Sequence, residues 1–325
     1  MSQATTSTSF TTLETIRAAR ERIKGVARVT PLIDVSDAAG RPFFLKAENL
    51  QPAGAFKIRG AYNMVAQLSP AQRSAGVITY SSGNHGQAMA YAARTLGAPA
   101  VVVMPTTAPK VKIEGARALG AEVILAGTTS VERKSRAEDE ARTRGLTMVP
   151  PFDHEWIIAG QATAGLEIVE QCPDVAVVLV PVGGGGLVAG VAAAIKQSKP
   201  DVMVVGVEPS GAAKMKTSVD AGQPVTLAKT ETIADGLMPV RPGDITFAHV
   251  RRFVDQLITV EDSDIVKAVL WIFRHARIVA EPSGAVTTAA VLNGALDAGP
   301  AVTGPIVAIV SGGNMAPEKL AEFAR

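Results

Sequence analysis

The sequence lacks the features of a secreted or membrane-bound protein. It has one cysteine, Cys172, so an internal disulfide is excluded, and no histidine or second cysteine stands nearby to form a metal site. Its apolar runs, such as residues 175–182 and 306–310, are far shorter than the roughly 20 residues that cross a membrane. The polar start MSQATTSTSF has neither the basic end nor the apolar centre of a signal peptide. We therefore expect a cytoplasmic protein with no membrane partner, in which Cys172 is structural.

An excess of charge of one sign is also missing. The 32 Lys and Arg residues nearly balance the 30 Asp and Glu residues, and both signs are interspersed, for a formal net charge of +2. Binding to nucleic acid requires clustered basic residues, so we expect no nucleic-acid partner. Apolar residues, by contrast, make up 47% of the 325 residues, which is enough for one large core or two lobes of ordinary domain size.

Short runs rich in valine and isoleucine alternate with helical patterns along most of the chain. The predicted strands of this composition are residues 77–80, 100–104, 122–126, 146–149, 175–182, 202–208 and 306–310. This alternation predicts an α/β fold, and hydrophobicity that continues through each strand indicates parallel sheets covered on both faces. A capping-box pattern at Thr11 and Glu14 predicts a first helix that ends near Gly25.

A lysine stands at the predicted start of a helix in the segment GAFKIRGA, residues 54–61. The positive end of a helix disfavours a lysine, and the apolar neighbours Phe56 and Ile58 partly desolvate it. Desolvation favours the neutral amine that forms a Schiff base with a carbonyl carbon. Lys57 is therefore a candidate for covalent catalysis, and a solvated lysine at a helix start is the alternative.

Two further loops combine glycine with polar side chains after a predicted strand. In SSGNHG, residues 81–86, hydroxyl groups and unpaired backbone N–H groups converge where a helix begins, an arrangement that binds anions such as a carboxylate. Ordinary capping of the helix by Ser82 or Asn84 is the alternative. In SGGN, residues 311–314, a hydroxyl group reaches the carboxyl edge of the sheet, which by itself is a weak signal.

Four successive glycines, residues 183–186, directly follow a predicted strand and precede a helix. Without side chains, the backbone can approach a phosphate closely and direct several N–H groups toward it. A dinucleotide is the alternative ligand, because Gly184, Gly186 and Ala189 fit the dinucleotide motif and Glu208 ends the next strand. The loop predicts a phosphate site without identifying the molecule that carries the phosphate.

Together, and in this order, the loops resemble those of the fold type II family of pyridoxal-phosphate enzymes, which have a fold like that of tryptophan synthase β. Within that family, the sequence is similar to the threonine and serine dehydratases and serine racemases. The likeness runs from about residue 12 to residue 316 and is carried by AFKIRGA, SSGNHGQAMAYAA, PVGGGGL, ETIADG, EPSGAV and SGGN. It implies an α/β fold of two lobes with parallel-rich open sheets. Residues 76–152 would form the small lobe, and residues 1–75 and 153–325 the large, cofactor-binding lobe.

The resemblance also implies pyridoxal 5'-phosphate as the cofactor and a set of contacts to it. Lys57 would hold the cofactor covalently, Ser311 would bond the pyridine nitrogen, and Asn84 the ring hydroxyl. Phe56 would flank the ring, and Glu281 would orient or tune it. The phosphate would lie in a cradle formed by Gly183, Gly184, Gly185, Gly186 and Leu187.

For the substrate, the resemblance implies a small amino acid whose carboxylate is held by Ser81, Ser82, Asn84 and His85. A buried histidine with a structural role is the alternative for His85. Lys57, displaced by the substrate amine, would take the α-proton, and the β-hydroxyl would leave with a proton from the cofactor phosphate or a neighbouring group. The products would be a 2-oxo acid and ammonia. In a racemase, Ser82 would act as acid or base on the face opposite Lys57.

Three departures from the family pattern limit what it implies. Ala55 stands where the lysine motif usually has a serine, so we expect one hydrogen bond fewer. Similar enzymes build a divalent-metal site from a glutamate, a backbone carbonyl and an aspartate; Glu208 and Ala212 match, but Lys214 replaces the aspartate. An ammonium group cannot coordinate a metal ion, so we predict no metal here and an ion pair between Lys214 and Glu208. The sequence ends soon after Asn314, so we expect no C-terminal regulatory domain and no feedback by isoleucine.

The sequence leaves several functions open. Dehydration of L-threonine or L-serine is favoured, because ETIADGLMPVRPGDITF is more like the dehydratases than the racemases. Serine racemisation, and dehydration of a bulkier β-hydroxy amino acid such as phenylserine, are the near alternatives. A NAD-dependent oxidoreductase would leave Lys57 and Ser311 unexplained, and a non-catalytic amino-acid-binding protein would be expected to have lost Lys57. As in relatives, we expect a homo-oligomer.

Overall fold

Two sheets of mainly parallel strands organise the part of the chain that the computed structural model describes, residues 9–81, 83–108, 110–298 and 303–325. The strands in these ranges are β1 (Leu32–Asp34), β2 (Phe43–Lys46), β3 (Val77–Tyr80), β4 (Ala100–Met104), β5 (Glu122–Leu125), β6 (Thr147–Met148), β7 (Val177–Pro181), β8 (Met203–Pro209), β9 (Gln256–Val260) and β10 (Ile306–Ile309). The order β1-β2-β10-β7-β8-β9 forms a six-stranded sheet, and the order β5-β4-β3-β6 forms a four-stranded sheet. Within both sheets every strand pairing is parallel except that of β1 with β2. The predicted α/β fold with parallel-rich sheets is confirmed.

Helices connect the parallel strands, as such pairing requires. The α-helices of the described residues are α1 (Leu13–Ile23), α2 (Ser36–Ala39), α3 (Lys57–Ala66), α4 (Pro70–Ala75), α5 (Asn84–Thr95), α6 (Lys110–Ala118), α7 (Ser130–Arg144), α8 (Glu155–Gln171), α9 (Gly186–Ser198), α10 (Lys214–Ala221), α11 (Asp244–Phe253), α12 (Asp262–Ala276), α13 (Pro282–Leu292) and α14 (Pro317–Phe323). Short 3-10 turns lie at Glu48–Leu50, Pro52–Gly54, Ser210–Ala212, Asp235–Leu237 and Ala295–Ala298. Judged by length and hydropathy, none of the helices in the described ranges could cross a membrane.

Alternate residues of the central strands pack against helices on opposite faces of the six-stranded sheet. Val177 and Leu179 of β7 lie in a core shared with α12 and α13, whereas Val178 and Val180 lie in a second core with α9 and α11. The four-stranded sheet is covered similarly, by α5 on one face and α7 on the other. Because both faces are buried, hydrophobicity runs through central strands such as β4 and β7 without alternating with polar residues.

Some details differ from the sequence-based predictions. The first helix begins at Leu13 and is capped by Thr12, one residue later than the predicted cap at Thr11. Thr11 is buried, and its N–H donates to His249 Nε2 of α11 (3.0 Å). This contact holds Thr11 against α11, and Thr12 caps the helix instead. Strands β1, β2 and β9 were not predicted. Cys172 is buried, and burial raises the pKa of its thiol to about 11, in agreement with a structural role.

A cluster of buried charged side chains fixes α3 against β2 and α8. Arg59 donates to both carboxylate oxygens of Glu48 (2.7 and 2.7 Å) and to both of Glu167 (2.6 and 2.8 Å). Lys46 Nζ lies 2.6 Å from Glu167 Oε2. The two positive and two negative charges balance, and each carboxylate is hydrogen-bonded, as buried ions require. The helix that begins with Lys57 is therefore held in one position.

The substitution Arg59→Met would leave two buried carboxylates sharing a single lysine. We expect the free energy of unfolding to fall by about 3 kcal/mol or more, as it does when a buried ion pair loses one partner. The control Arg20→Met breaks the exposed pair of Arg20 with Glu170, and it should lower the same free energy by less than about 1 kcal/mol. Urea unfolding of both variants measures the difference. Similar losses in the two variants would contradict the prediction.

Candidate active site

The segment before α3 is attached to the chain that follows β10. Phe56 N–H donates to Ser311 O (3.0 Å), and Ala55 pairs with Gly312 in an antiparallel bridge. Ser311 is buried, and its Oγ makes a long hydrogen bond of 3.4 Å to Ser283 O. The hydroxyl of Ser311 is therefore only weakly engaged by the protein. These contacts bring the start of α3 to the carboxyl end of β10, the edge where ligands bind in such sheets.

Lys57 has a desolvated amine with one hydrogen-bond partner among the residues that the structure describes. Its Nζ donates to Pro151 O (2.7 Å) and lies 5.1 Å from the centre of the Phe56 ring. In the described part of the chain, no carboxylate lies within ion-pair distance of this amine. Loss of hydration, with no counter-ion in these ranges to oppose it, lowers the pKa of Lys57 to about 8. A useful fraction of the amine is neutral near physiological pH, as a nucleophile or base requires.

The glycine loop, residues 183–186, lies between the end of β7 and the start of α9. Gly185 has φ +101°, a conformation that side chains disfavour. A Cβ on Gly184 would overlap the ring of Phe152. Gly185 supplies no side-chain cap to α9, so the amides at Gly186 and Leu187 are left without one. The loop and the first turn of α9 therefore form a concave set of N–H groups suited to an anion.

Two supports of the site were not predicted from the sequence. Residues 149–153, here called the connecting segment, join β6 to α8 and contact in order His85, Lys57, the glycine loop and the first turn of α11. Thr246 is the second support, because its Oγ1 donates to Gly184 O (2.7 Å). The Pro-Pro pair in the connecting segment signals a turn, but no local pattern reveals what the turn contacts.

Asn84, the first residue of α5, is held by side chains from distant parts of the sequence. Its Nδ2 donates to Glu281 Oε1 (2.5 Å), and its Oδ1 accepts from Asn314 Nδ2 (2.9 Å). Burial, with a smaller effect of a nearby carboxylate, raises the pKa of Glu281 to about 8. Glu281 N–H donates to Gly312 O (3.1 Å), next to Ser311. The structure thus brings Asn84, Glu281 and Ser311 together.

The start of α5 has the properties of an anion site. Gly83 precedes the helix and provides no side-chain cap, so no side chain of the described residues caps the amides of the first turn. Ser81 stands at the end of β3, and its Oγ accepts from Gly83 N–H (3.3 Å). Ser82, predicted to bind substrate and to exchange a proton, lies outside the described residues.

His85 makes a structural contact through its side chain. The residue is buried, and its Nε2 lies 3.0 Å from Val149 O. Because a carbonyl oxygen only accepts, we assign the ring hydrogen to Nε2. Burial, and then the charge of Lys57, lower the pKa of His85 to about 3, so the ring is neutral. These contacts favour a structural role for the His85 side chain over binding of the substrate carboxylate. The backbone N–H of His85, at the start of α5, is the part of the residue that could bind an anion.

Comparisons with known proteins agree on one family. A family model described as "Pyridoxal-phosphate dependent enzyme" matches residues 23–312. The L-threonine ammonia-lyase of Thermotoga maritima is 46% identical over 308 residues, which cover 94% of this chain and 76% of the relative. The biosynthetic L-threonine dehydratase IlvA of Escherichia coli is 42% identical over 273 residues, which cover 83% of this chain and 53% of the relative. The chain therefore spans about half the length of that relative.

Solved structures give the same result. The processed threonine deaminase isoform 2 of Solanum lycopersicum superposes with a TM-score of 0.90 at 40% identity, covering 96% of this chain and 86% of that one. Maize serine racemase superposes with a TM-score of 0.93 at 37% identity, covering 97% of each chain. The fold is therefore shared with both a deaminase and a racemase.

The substitution Gly184→Ala tests the packing of the glycine loop. Its Cβ would displace Phe152, so we expect the free energy of unfolding to fall by at least about 1 kcal/mol. The control Gly115→Ala lies in α6, where the nearest atom to an added Cβ is 3.7 Å away. It should raise the stability by about 0.5–1 kcal/mol. Urea unfolding of the cofactor-free variants measures both changes, and an unaffected Gly184→Ala variant would refute the packing argument.

Proposed function

We propose, from the premise that the chain belongs to the family of pyridoxal-phosphate-dependent enzymes, that it converts a small β-hydroxy amino acid into a 2-oxo acid and ammonia. The observation that carries this proposal is the amine of Lys57, which has a pKa of about 8 and, among the described residues, a carbonyl oxygen as its hydrogen-bond partner. Such an amine can take a proton from the α-carbon of a substrate bound beside it. The names of the relatives support L-threonine as substrate, and L-serine is the second candidate from the resemblance.

Pyridoxal phosphate, when bound, supplies an electron sink that stabilises negative charge at the substrate α-carbon. The glycine loop fits its phosphate, because the uncapped amides of α9 and the conformation of Gly185 form a cradle without side chains. We assign the phosphate to Gly183, Gly184, Gly185, Gly186 and Leu187. Lys57 is the residue that would hold the group covalently.

The remaining contacts to the cofactor ring are assigned to Phe56, Asn84, Glu281 and Ser311. The hydrogen bonds from Glu281 and Asn314 fix the side chain of Asn84, which supports its role at the ring hydroxyl. Glu281, whose pKa of about 8 leaves it mostly protonated at neutral pH, adds no full negative charge beside the ring. The hydroxyl of Ser311 is a neutral partner for the pyridine nitrogen, so the ring need not be fully protonated.

The substrate carboxylate is assigned to the start of α5. The uncapped amides of Asn84, His85 and Gly86, with the hydroxyl of Ser81, suit an anion. His85 would take part through its backbone, since its ring is neutral and bonded to Val149. By resemblance, Ser82 would also bind the substrate carboxylate, and in a racemase it would act as the acid or base on the face opposite Lys57.

The proposed division into lobes puts residues 76–152 in the small lobe and residues 1–75 and 153–325 in the large one. The four-stranded sheet is drawn wholly from the first range and the six-stranded sheet from the second, which supports the division. Lys112 of the small lobe pairs with Asp235 of the large one (2.8 Å). Closure of the lobes would assemble the site and exclude water. From the family likeness, a homo-oligomer remains part of the proposal, and so does a cytoplasmic location.

A racemase is the second candidate, because maize serine racemase has the same fold over nearly the whole chain. In a racemase, the hydroxyl of Ser82 would supply the second acid or base, on the face opposite Lys57. The dinucleotide alternative is weakened, because the family match covers the glycine loop and explains Lys57 as well. A bulkier substrate such as phenylserine stays open.

Formation of 2-oxo acid by the protein with pyridoxal phosphate tests the proposal. We expect turnover of L-threonine, L-serine or L-threo-phenylserine and none of the D-forms. If no 2-oxo acid forms from any of these substrates, and chiral chromatography shows that serine is recovered as a mixture of enantiomers, the racemase would replace the dehydratase as the proposed function.

The substitution Lys57→Ala should reduce turnover by at least about 1,000-fold, because it removes the base. Circular dichroism and the melting temperature should show that the fold is intact. The control Lys267→Ala removes an exposed lysine on α12 and should retain the activity. Activity retained by Lys57→Ala would refute the role of this residue.

A further inference from the structure

Lys214 places a buried ammonium group inside a cage of oxygen atoms. Its Nζ lies 2.8 Å from Val182 O, 3.1 Å from Ala212 O, 3.0 Å from Leu237 O and 3.0 Å from Glu208 Oε1. The side chains of Lys214 and Glu208 are both 0% exposed. The ion pair predicted from the sequence is therefore confirmed, and three backbone carbonyls complete the cage: that of Ala212, already matched to the family's metal site, and those of Val182 and Leu237, which were not predicted.

The composition of the cage requires a cation. All four neighbours of Nζ are acceptors, whereas a neutral amine would turn its lone pair toward one of them. Burial alone lowers the pKa of Lys214, and the charge and hydrogen bond of Glu208 oppose that effect. Glu208 in turn accepts the N–H groups of Met215 and Lys216 (2.9 and 2.8 Å) in the first turn of α10. Removal of the ammonium would leave Glu208 as an uncompensated buried charge.

The cage joins segments that border the glycine loop. Val182 is the residue directly before Gly183, and a Cβ on Gly183 would lie 3.0 Å from Gly236 O, next to Leu237. The cage is thus attached to the loop at its start and to the turn at residues 235–237 that packs over it. The cage therefore borders the loop at two backbone positions, Val182 and the turn at residues 235–237.

A divalent metal does not fit this cage. Glu208 and the carbonyl of Ala212 are oxygen ligands of the kind that Mg²⁺ and Ca²⁺ prefer, but Nζ of Lys214 occupies the point on which the oxygens converge. We propose that Lys214 is a positioning residue whose ammonium acts as a permanent internal cation and holds the glycine loop and residues 235–237 in place. Cofactor affinity would then be independent of divalent metals. Only the assignment of the glycine loop to the cofactor phosphate rests on the proposed function.

The substitution Lys214→Met removes the charge and keeps a chain of similar length. We expect the melting temperature of the cofactor-free protein to fall by at least about 5 °C. The dissociation constant for pyridoxal phosphate, measured well below the melting temperature, should rise about tenfold or more, because the loop loses its support. No cation should restore either quantity. A merely structural role would lower the melting temperature and leave the affinity of the folded protein unchanged.

The substitution Lys214→Asp supplies a second carboxylate in place of the ammonium. Without metal it should be as impaired as Lys214→Met, whereas millimolar Ca²⁺ or Mg²⁺ should restore most of the melting temperature and the cofactor affinity. A chelator should reverse the recovery. The unsubstituted protein should respond to neither metal nor chelator. The control Lys216→Met, a lysine of the same helix whose side chain is 44% exposed, should leave both quantities unchanged.

Three outcomes would overturn the proposal. They are an unchanged cofactor affinity in Lys214→Met, a Lys214→Asp variant that responds to no divalent cation, and an unsubstituted protein that is stabilised by Ca²⁺ or Mg²⁺ in a way that Lys214→Met abolishes. None of these measurements uses a substrate, and the melting temperatures also need no cofactor. Failure of this inference is therefore distinguishable from failure of the proposed reaction.

Discussion

The site depends on a desolvated amine that has no counter-ion in the described part of the chain. Lys46, Lys57 and Lys214 all have a pKa lowered by burial. Lys46 and Lys214 each pair with a glutamate, at 2.6 and 3.0 Å, and these partners oppose the loss of charge. In the same described ranges, Lys57 has the carbonyl of Pro151 as its partner and no carboxylate. The same side chain therefore serves as a structural cation at two positions and as a reactive amine at the third.

The fold holds Lys57 firmly without giving it a carboxylate. Arg59, two residues further along α3, engages the carboxylates of Glu48 and Glu167, so the helix is fixed by acids that are already neutralised. The chain after β10 holds the residues before the lysine, and the connecting segment supplies the carbonyl. On the other side of the glycine loop, Lys214 performs the neutralising role for Glu208. The buried charges of Lys46 and Lys214 are thus paired with glutamates and support the fold. Of these three lysines, Lys57 is the one without a carboxylate partner in the described residues.

Local patterns predicted the parts of the site that are contiguous in sequence. Lys57 begins a helix, the glycine loop follows β7, and Asn84 begins α5, because strand ends and helix starts are encoded by neighbouring residues. The pair of Lys214 with Glu208 was predicted because Lys214 replaces the aspartate of the family's metal site. An ammonium group cannot coordinate a metal ion but can pair with the remaining glutamate. What was missed depends on contacts between distant segments. The short strand β2 contains Lys46, whose burial makes sense only beside Glu167, and no periodicity reveals that the connecting segment contacts Lys57.

The pKa of Lys57 in the cofactor-free protein tests the central claim most directly. Lysine side chains labelled with ¹³C can be titrated by NMR, and the signal of Lys57 is identified by its absence in Lys57→Ala. Because desolvation lowers the pKa, the amine should lose its proton as the pH rises through about 8, well below the ordinary lysine value of about 10.4. A midpoint near 10.4 would show a hydrated or paired amine and would contradict the account.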